Sequence, residues 1–176
     1  MSSVILVNEQ DEILGEEEKL KAHQLALCHR AFSIFIFKDK IQQEVLLQQR
    51  AKNKYHCGGL WTNTCCSHPQ PFEKTLKSGQ RRLQEELGFS VPLKEVGVFH
   101  YQAEFDNGLT ENEVDHVLMG FYSGKIIPDQ NEIADFSWVK MSDLKKDLKQ
   151  HPNKYTPWFL PALKIITSTV FQHLAK

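Results

Sequence analysis

A chain of 176 residues with a formal net charge of −1 and 41% apolar residues is long enough for one domain with a substantial core. Its near-neutral balance leaves no electrostatic footprint for nucleic acid, and no apolar run reaches the roughly 20 residues needed to cross a bilayer. The start, MSSVILVNEQDE, lacks a basic region and a long apolar stretch, so no secretory signal is expected there. Cys28, Cys57, Cys65 and Cys66 form no regular framework, which points to reduced thiols and a cytoplasmic location. With no internal repeat, low-complexity segment or linker, residues 1–176 read as a single domain.

Val4 to Val7 is a short apolar strand that ends in a polar turn. Glu16 to Leu27 has helix-forming composition and carries Lys19 and His23. His29 to Lys38, rich in Phe and Ile, predicts a strand. A polar hairpin loop follows over Lys38 to Gln43, Glu44 to Arg50 returns as a strand, and Ala51 to Gly59 is a loop carrying Lys52, Lys54 and His56. Leu93 to Phe105 and Glu113 to Tyr122 predict two strands joined at the turn signal Asp106-Asn107-Gly108. Asp135 to Val139 predicts a further strand. Ser142 is expected to cap a short helix ending near Gln150, and Pro157 marks a start for a last helix that continues from Ala162 to Leu174.

Trp61 to Phe89 is the most informative stretch. Phe72, Leu76, Gly79, Leu83 and Leu87 recur at helical spacing, which predicts an amphipathic helix with these residues on one face. Gly88 is its expected stop. Glu85 and Glu86 near that end oppose the helix dipole, so a cationic group is expected to receive them. Pro69 keeps His68 out of the α region, two residues beyond Cys66. Elsewhere Glu111 and Glu113 are two apart on a strand and therefore share a face. With His23, His29 and His68 they make an imidazole–carboxylate set suited to zinc, manganese or iron. Five such ligands would exceed a tetrahedral site and suggest an octahedral one with an open position. Against this stands the ordinary reading, in which histidines and a Glu-x-Glu pair are surface or packing residues. Cys28, Cys57, His56, His100, His116, His151 and His173 are given that reading.

Glu73, Arg81, Leu83, Glu85, Glu86, Gly88 and, loosely, Phe89 resemble the Nudix box, G-x5-E-x7-R-E-U-x-E-E-x-G-U, where U is aliphatic or bulky. Ser67 stands where that box has glycine, and Arg82 where it has a metal-binding glutamate. A closer resemblance joins Ala22-His23-x5-His29-Arg-Ala-Phe32, Trp61-Thr-Asn-Thr-Cys-Cys66-Ser-His68-Pro-Gln70, Thr110-Glu-Asn-Glu113 and Tyr155-Thr-Pro-Trp158. Together these resemble the type I isopentenyl-diphosphate delta-isomerases, over nearly the whole chain.

The resemblance implies an α/β fold, a Nudix-like α/β/α sandwich with a mixed β-sheet. It implies interconversion of isopentenyl and dimethylallyl diphosphate, with neither nucleic acid nor membrane as partner. It assigns His23, His29, His68, Glu111 and Glu113 to one divalent metal, Mn2+, Zn2+ or Mg2+, and Glu86 to a Mg2+ that holds the diphosphate. Cys66 and Glu113 become the acid/base pair, Tyr101 lies near the reacting carbons, and Trp158 is the candidate to face a carbocation. Lys19, Arg50, Lys54 and Arg82 match diphosphate-contacting positions. Two alternatives stand beside it: a Nudix hydrolase of nucleoside diphosphate derivatives, and a Nudix-like module that binds without catalysis.

Overall fold

The computed structural model describes residues 3–174; residues 1–2 and 175–176, and the side chains of residues 169–174, His173 among them, lie outside the described residues. The first half runs β1 (Ser3–Val7), β2 (Ile13–Glu18), α1 (Lys19–Gln24), β3 (His29–Phe37), β4 (Glu44–Arg50), β5 (Trp61–Thr62) and β6 (Cys65–Ser67). The second runs α2 (Thr75–Leu87), β7 (Lys94–Glu104), β8 (Thr110–Phe121), β9 (Ile133–Lys140), α3 (Met141–Gln150) and α4 (Phe159–Leu174). The strands form one mixed sheet. β3 lies in its middle, parallel to β8 and antiparallel to β1, β4 and β6.

The period of two along β3 decides what each face of the sheet does. Phe35 and Phe37 point to one side, where Val45, Leu47, Val117 and Met119 meet Leu144 of α3 and Phe159, Ala162, Leu163 and Ile166 of α4. Phe32, Ile34 and Ile36 point to the other, where Leu46 and Leu118 meet Leu83 and Leu87 of α2. Each such side chain contributes about 1.5–3 kcal/mol on burial. The result is the expected α/β/α sandwich.

Several expectations are corrected in detail. The helix placed over Glu16 to Leu27 starts only at Lys19, because Glu16 to Glu18 pair with β1. Glu18 then caps the helix, its carboxylate accepting from Leu20 N at 3.1 Å and Lys21 N at 3.0 Å. Phe72 is not on the buried face of α2: it precedes the helix, is fully exposed and has φ +65°. Leu76 is also exposed, and the face that packs is Ser78, Gly79, Leu83, Glu86 and Leu87. β8 begins at Thr110 rather than Glu113, since Glu104 pairs with Thr110 across the hairpin. Ser142 does not cap α3; Lys140 holds the N-cap position without a side-chain bond. The last helix starts at Phe159, after a single turn of tighter 3-10 helix at Pro152–Lys154.

Gly88 ends α2 as the spacing implied. It sits at φ +76° and its N–H donates to Gln84 O at 3.2 Å. A Cβ there would lie 2.9 Å from Ile127 Cβ and 3.2 Å from Ile127 O. Gly88→Ala is therefore expected to destabilise by about 1–3 kcal/mol, from αL strain and overcrowding together. Urea unfolding should show a lower midpoint at an unchanged slope; an unchanged midpoint would mean that the Ile127 contact yields freely.

Candidate active site

The alternation that builds the core also builds the site. On β8, Glu111, Glu113 and Asp115 share a face with Val117 and lie nearer its N-terminal end. The parallel register sets His29 opposite Glu113. On the other side of β3, β6 pairs Cys66 with Ser33, and His68 follows one residue after β6. α1 supplies His23 from above the same end of the sheet.

His23, His29, His68 and Glu113 each offer a donor atom, and these four atoms all lie within 4.8 Å of one another. Opposite ligands of a divalent ion with bonds of about 2.1 Å stand about 4.2 Å apart, so the spread suits a cation. His23 Nδ1 lies 2.7 Å from Lys19 O, and His29 Nδ1 lies 2.8 Å from Leu27 O. With Nδ1–H donating to a carbonyl, His23 keeps its Nε2 lone pair free. His29 Nε2 lies 3.3 Å from Glu113 Oε1, and although burial works against it, that carboxylate raises His29 above the usual imidazole value. Both Nε2 atoms are buried without a hydrogen-bond partner, as is His68 Nδ1. Burial holds His23 down to about 4 and His68 down to about 3, so these rings are neutral, the form that binds metal. The residues present fit a divalent cation.

Glu111 sits beside this group. Its Oε2 is 2.9 Å from the Tyr101 hydroxyl, which also lies 2.6 Å from Glu113 Oε2. Burial drives Glu111 well above the usual carboxylate range, with the Glu113 charge adding to it. Burial pushes Glu113 the same way, but His68 at 2.8 Å and His29 outweigh it and hold Glu113 well below. The surroundings thus drive the two carboxylates in opposite directions, Glu111 up and Glu113 down, although one hydroxyl lies against both.

Cys66 is held from several sides. Trp158 Nε1 donates to its sulfur at 3.1 Å, and the thiol donates to Asn63 Oδ1 at 2.9 Å. Asn63 is itself fixed, its amide donating to Ile34 O at 3.1 Å and Cys65 O at 3.0 Å. Packing around the sulfur pushes the thiol up to about 12, with the nearby Asp115 adding to the effect. Cys66, Tyr101, Glu111, Glu113 and Trp158 line one cavity of about 40 Å³, together with Arg50, His56 and Asp115.

The basic residues gather nearby. The Arg50 guanidinium lies 5.4 Å over the Trp158 ring, and Lys19 lies 5.7 Å over Tyr55. Burial lowers Lys19, and the charges of Arg50, Lys54 and Arg82 lower it further. Lys54 pairs with Glu132. Arg82 reaches Glu86 at 2.5 Å and Glu85 at 2.6 Å, so the cation expected for the two acids comes from their own helix. Gln48 Nε2 lies 3.4 Å from the other oxygen of Glu86.

Two residues of the cavity escaped the sequence reading. His56 was set aside as an ordinary loop histidine, yet it is buried with Nε2 2.5 Å from Glu111 Oε1. Asp115 was passed over, although it continues the Glu111, Glu113 alternation; it accepts from Ser33 Oγ at 2.7 Å.

The NUDIX domain family matches residues 28–159. Among solved structures, a MutT protein from Methanosarcina mazei shares the fold at TM-score 0.64 and 17% identity, covering 85% of this chain and 96% of that one. A MutT NUDIX hydrolase from Burkholderia pseudomallei does so at TM-score 0.63 and 20% identity, over 79% and 98%. Fold and site thus define a NUDIX-domain protein. Nearer in sequence are an isopentenyl-diphosphate Delta-isomerase of Serratia proteamaculans, 44% identical over 98% of this chain and 96% of the relative, and one of Aliivibrio fischeri strain MJ11, 40% identical over 96% and 97%. The chain belongs to the isopentenyl-diphosphate Delta-isomerase family.

With its thiol pushed up to about 12, Cys66 stays protonated throughout the neutral range. At pH 8 its alkylation by iodoacetamide should be about a thousandfold slower than that of a free thiol near 8.5, and should keep rising through pH 10. Peptide mass spectrometry over a time course checks this. Alkylation of Cys66 at the free-thiol rate would show that the packing does not control its ionisation.

Proposed function

We propose that this chain interconverts isopentenyl diphosphate and dimethylallyl diphosphate, with the chain acting as one catalytic unit in the cytoplasm. The observation that carries the reading is that the Cys66 thiol and the Glu113 carboxylate line one small cavity together with Tyr101 and Trp158. Moving the double bond needs a proton added at one carbon and another removed two carbons away. The Cys66 S–H can donate, and Glu113, held ionised by His68 and His29, can accept. Tyr101 and Glu111 stand behind Glu113 and can take up or return the proton through the hydroxyl they share.

A tertiary carbocation forms between the two transfers and must be kept from water. Trp158 is only 2% exposed, and its ring orientation is set by the bond from Nε1 to Cys66. Its face can stabilise positive charge by about 0.5–2 kcal/mol. The cavity, about 40 Å³, has room for roughly one water, so a five-carbon chain enters only as the lining side chains part. His23, His29, His68 and Glu113, with Glu111 beside them, would hold one divalent ion, Mn2+, Zn2+ or Mg2+. When bound, such an ion supplies positive charge that keeps Glu113 ionised and in place. Lys19, Arg50, Lys54 and Arg82 would receive the diphosphate, with Glu86 available to its Mg2+.

The hydrolase alternative fares worse. Hydrolysis in this fold relies on a full set of metal-binding carboxylates on α2, but here Arg82 stands at one of those positions, so the set is one carboxylate short. The test is incubation with isopentenyl diphosphate, Mg2+ and Mn2+, followed by product detection beside a nucleotide panel. Isomer formation supports the reading; phosphate release without isomer would replace it. Within that assay Cys66→Ala should lose roughly 10²–10⁴ in turnover, as expected for a general acid, while Cys65→Ala stays close to wild type. Equal losses at both positions would remove Cys66 from its role. Trp158→Ala should slow turnover by up to roughly thirtyfold from the lost cation–π contribution, with Trp158→Phe between. A lower melting temperature with full turnover would make the ring a packing residue only.

A further inference from the structure

One lining residue, His56, has no part in the mechanism above. It lies in the loop between β4 and β5, where Lys52, Asn53 and Tyr55 are exposed, yet it is only 8% exposed itself. The backbone is bent to turn it inward: Cys57 takes φ +52°, a region that residues other than glycine rarely adopt. The ring stacks on Phe105 with centroids 4.9 Å apart and meets Trp158 edge-on at 6.1 Å. These contacts leave the imidazole little freedom.

Its two nitrogens have different fates. Nε2 is 2.5 Å from Glu111 Oε1, whereas Nδ1 is buried without a partner. A proton on Nδ1 would strand a buried donor, so the tautomer with Nε2–H donating to the carboxylate is selected. Glu111 is thereby held through one oxygen by His56 and through the other by Tyr101. Two carboxylate oxygens offer about four lone-pair directions, so both bonds leave room for an ion.

We propose that His56 is a positioning residue of the metal centre, whose Nε2–H holds Glu111 beside the His23, His29, His68 and Glu113 group. The inference rests on the reading that this group takes a divalent ion. Outer hydrogen bonds to metal-site carboxylates are worth about 10–100-fold in affinity.

The test measures Mn2+ affinity by equilibrium dialysis, with melting temperature alongside, for wild type, His56→Phe and His56→Gln. Phenylalanine keeps the ring packing without a donor; glutamine restores an N–H without the ring. His56→Phe should weaken Mn2+ binding by about 10–100-fold at an unchanged melting temperature, and His56→Gln should recover part of the loss. In a Glu111→Gln background the His56→Phe change should cost less than about twofold, because its partner is gone. Wild-type affinity in His56→Phe, weaker binding in His56→Gln than in His56→Phe, or an undiminished loss in the Glu111→Gln background each overturns the proposal. If His56→Phe does not fold, His56→Ala replaces it in the same comparison. A wild-type protein that takes up neither Mn2+ nor Zn2+ overturns the metal reading itself, a result distinct from wild-type binding that His56 does not influence.

Discussion

The parallel pairing of β3 with β8 is the constraint on which the site depends. It sets His29 beside Glu113, and the same strand, four residues on, faces Cys66 through its pairing with β6. Side chains alternate with a period of two, so a slip of one residue would turn Glu111, Glu113 and Asp115 toward the α2 side and move Val117 and Met119 out of their core. The apolar half of these strands therefore fixes the register of the polar half. Phe35, Phe37, Val117 and Met119 at one end hold His29, Glu111, Glu113 and Asp115 at the other.

That arrangement sets burial against electrostatics. Glu111, Glu113, Asp115, His23 and His29 are each at most 4% exposed, and buried charge is costly unless paired. The cluster answers in part through internal pairing: Tyr101 bridges the two glutamates, His68 and His29 face Glu113, and backbone carbonyls take the Nδ1 hydrogens. The remainder is left open, in the unpartnered nitrogens of His23, His29, His56 and His68 and in one oxygen of Asp115. A structure optimised only for stability would satisfy these atoms. Their concentration around one small cavity marks it as a place where stability gives way to chemistry.

Much of this was legible in the sequence, and the limits have physical causes. β3 and β4 were readable because continuous apolar composition bounded by polar loops has few alternatives. β5 and β6 were not, since two and three residues are too few for any periodicity. Phe72 misled because a helical period counts it with Leu76 and Leu83, while Pro71 and its own φ of +65° keep it outside the helix. Glu113 and Cys66 stood out in the sequence because they sit in the motifs that carry the family resemblance. His56 did not, for its burial comes from a strained loop and from Phe105, far along the chain.

Arg82 shows how the NUDIX frame accommodates a different reaction. In the box it replaces a metal-binding glutamate, and in space it lies against Glu85, Glu86 and Glu132. Exchanging an anion for a cation at that position changes the local charge by two units, so the acidic end of α2 is partly neutralised from within. The His/Glu group that could hold an ion instead lies across the sheet from α2, on the α4 face with Cys66 and Trp158. Under the proposed reading, anchoring the anion falls to the Arg82 side and moving protons to the Cys66–Glu113 cavity. Isomerisation needs that division, because the diphosphate must stay bound and intact while the hydrocarbon end reacts in a dry cavity.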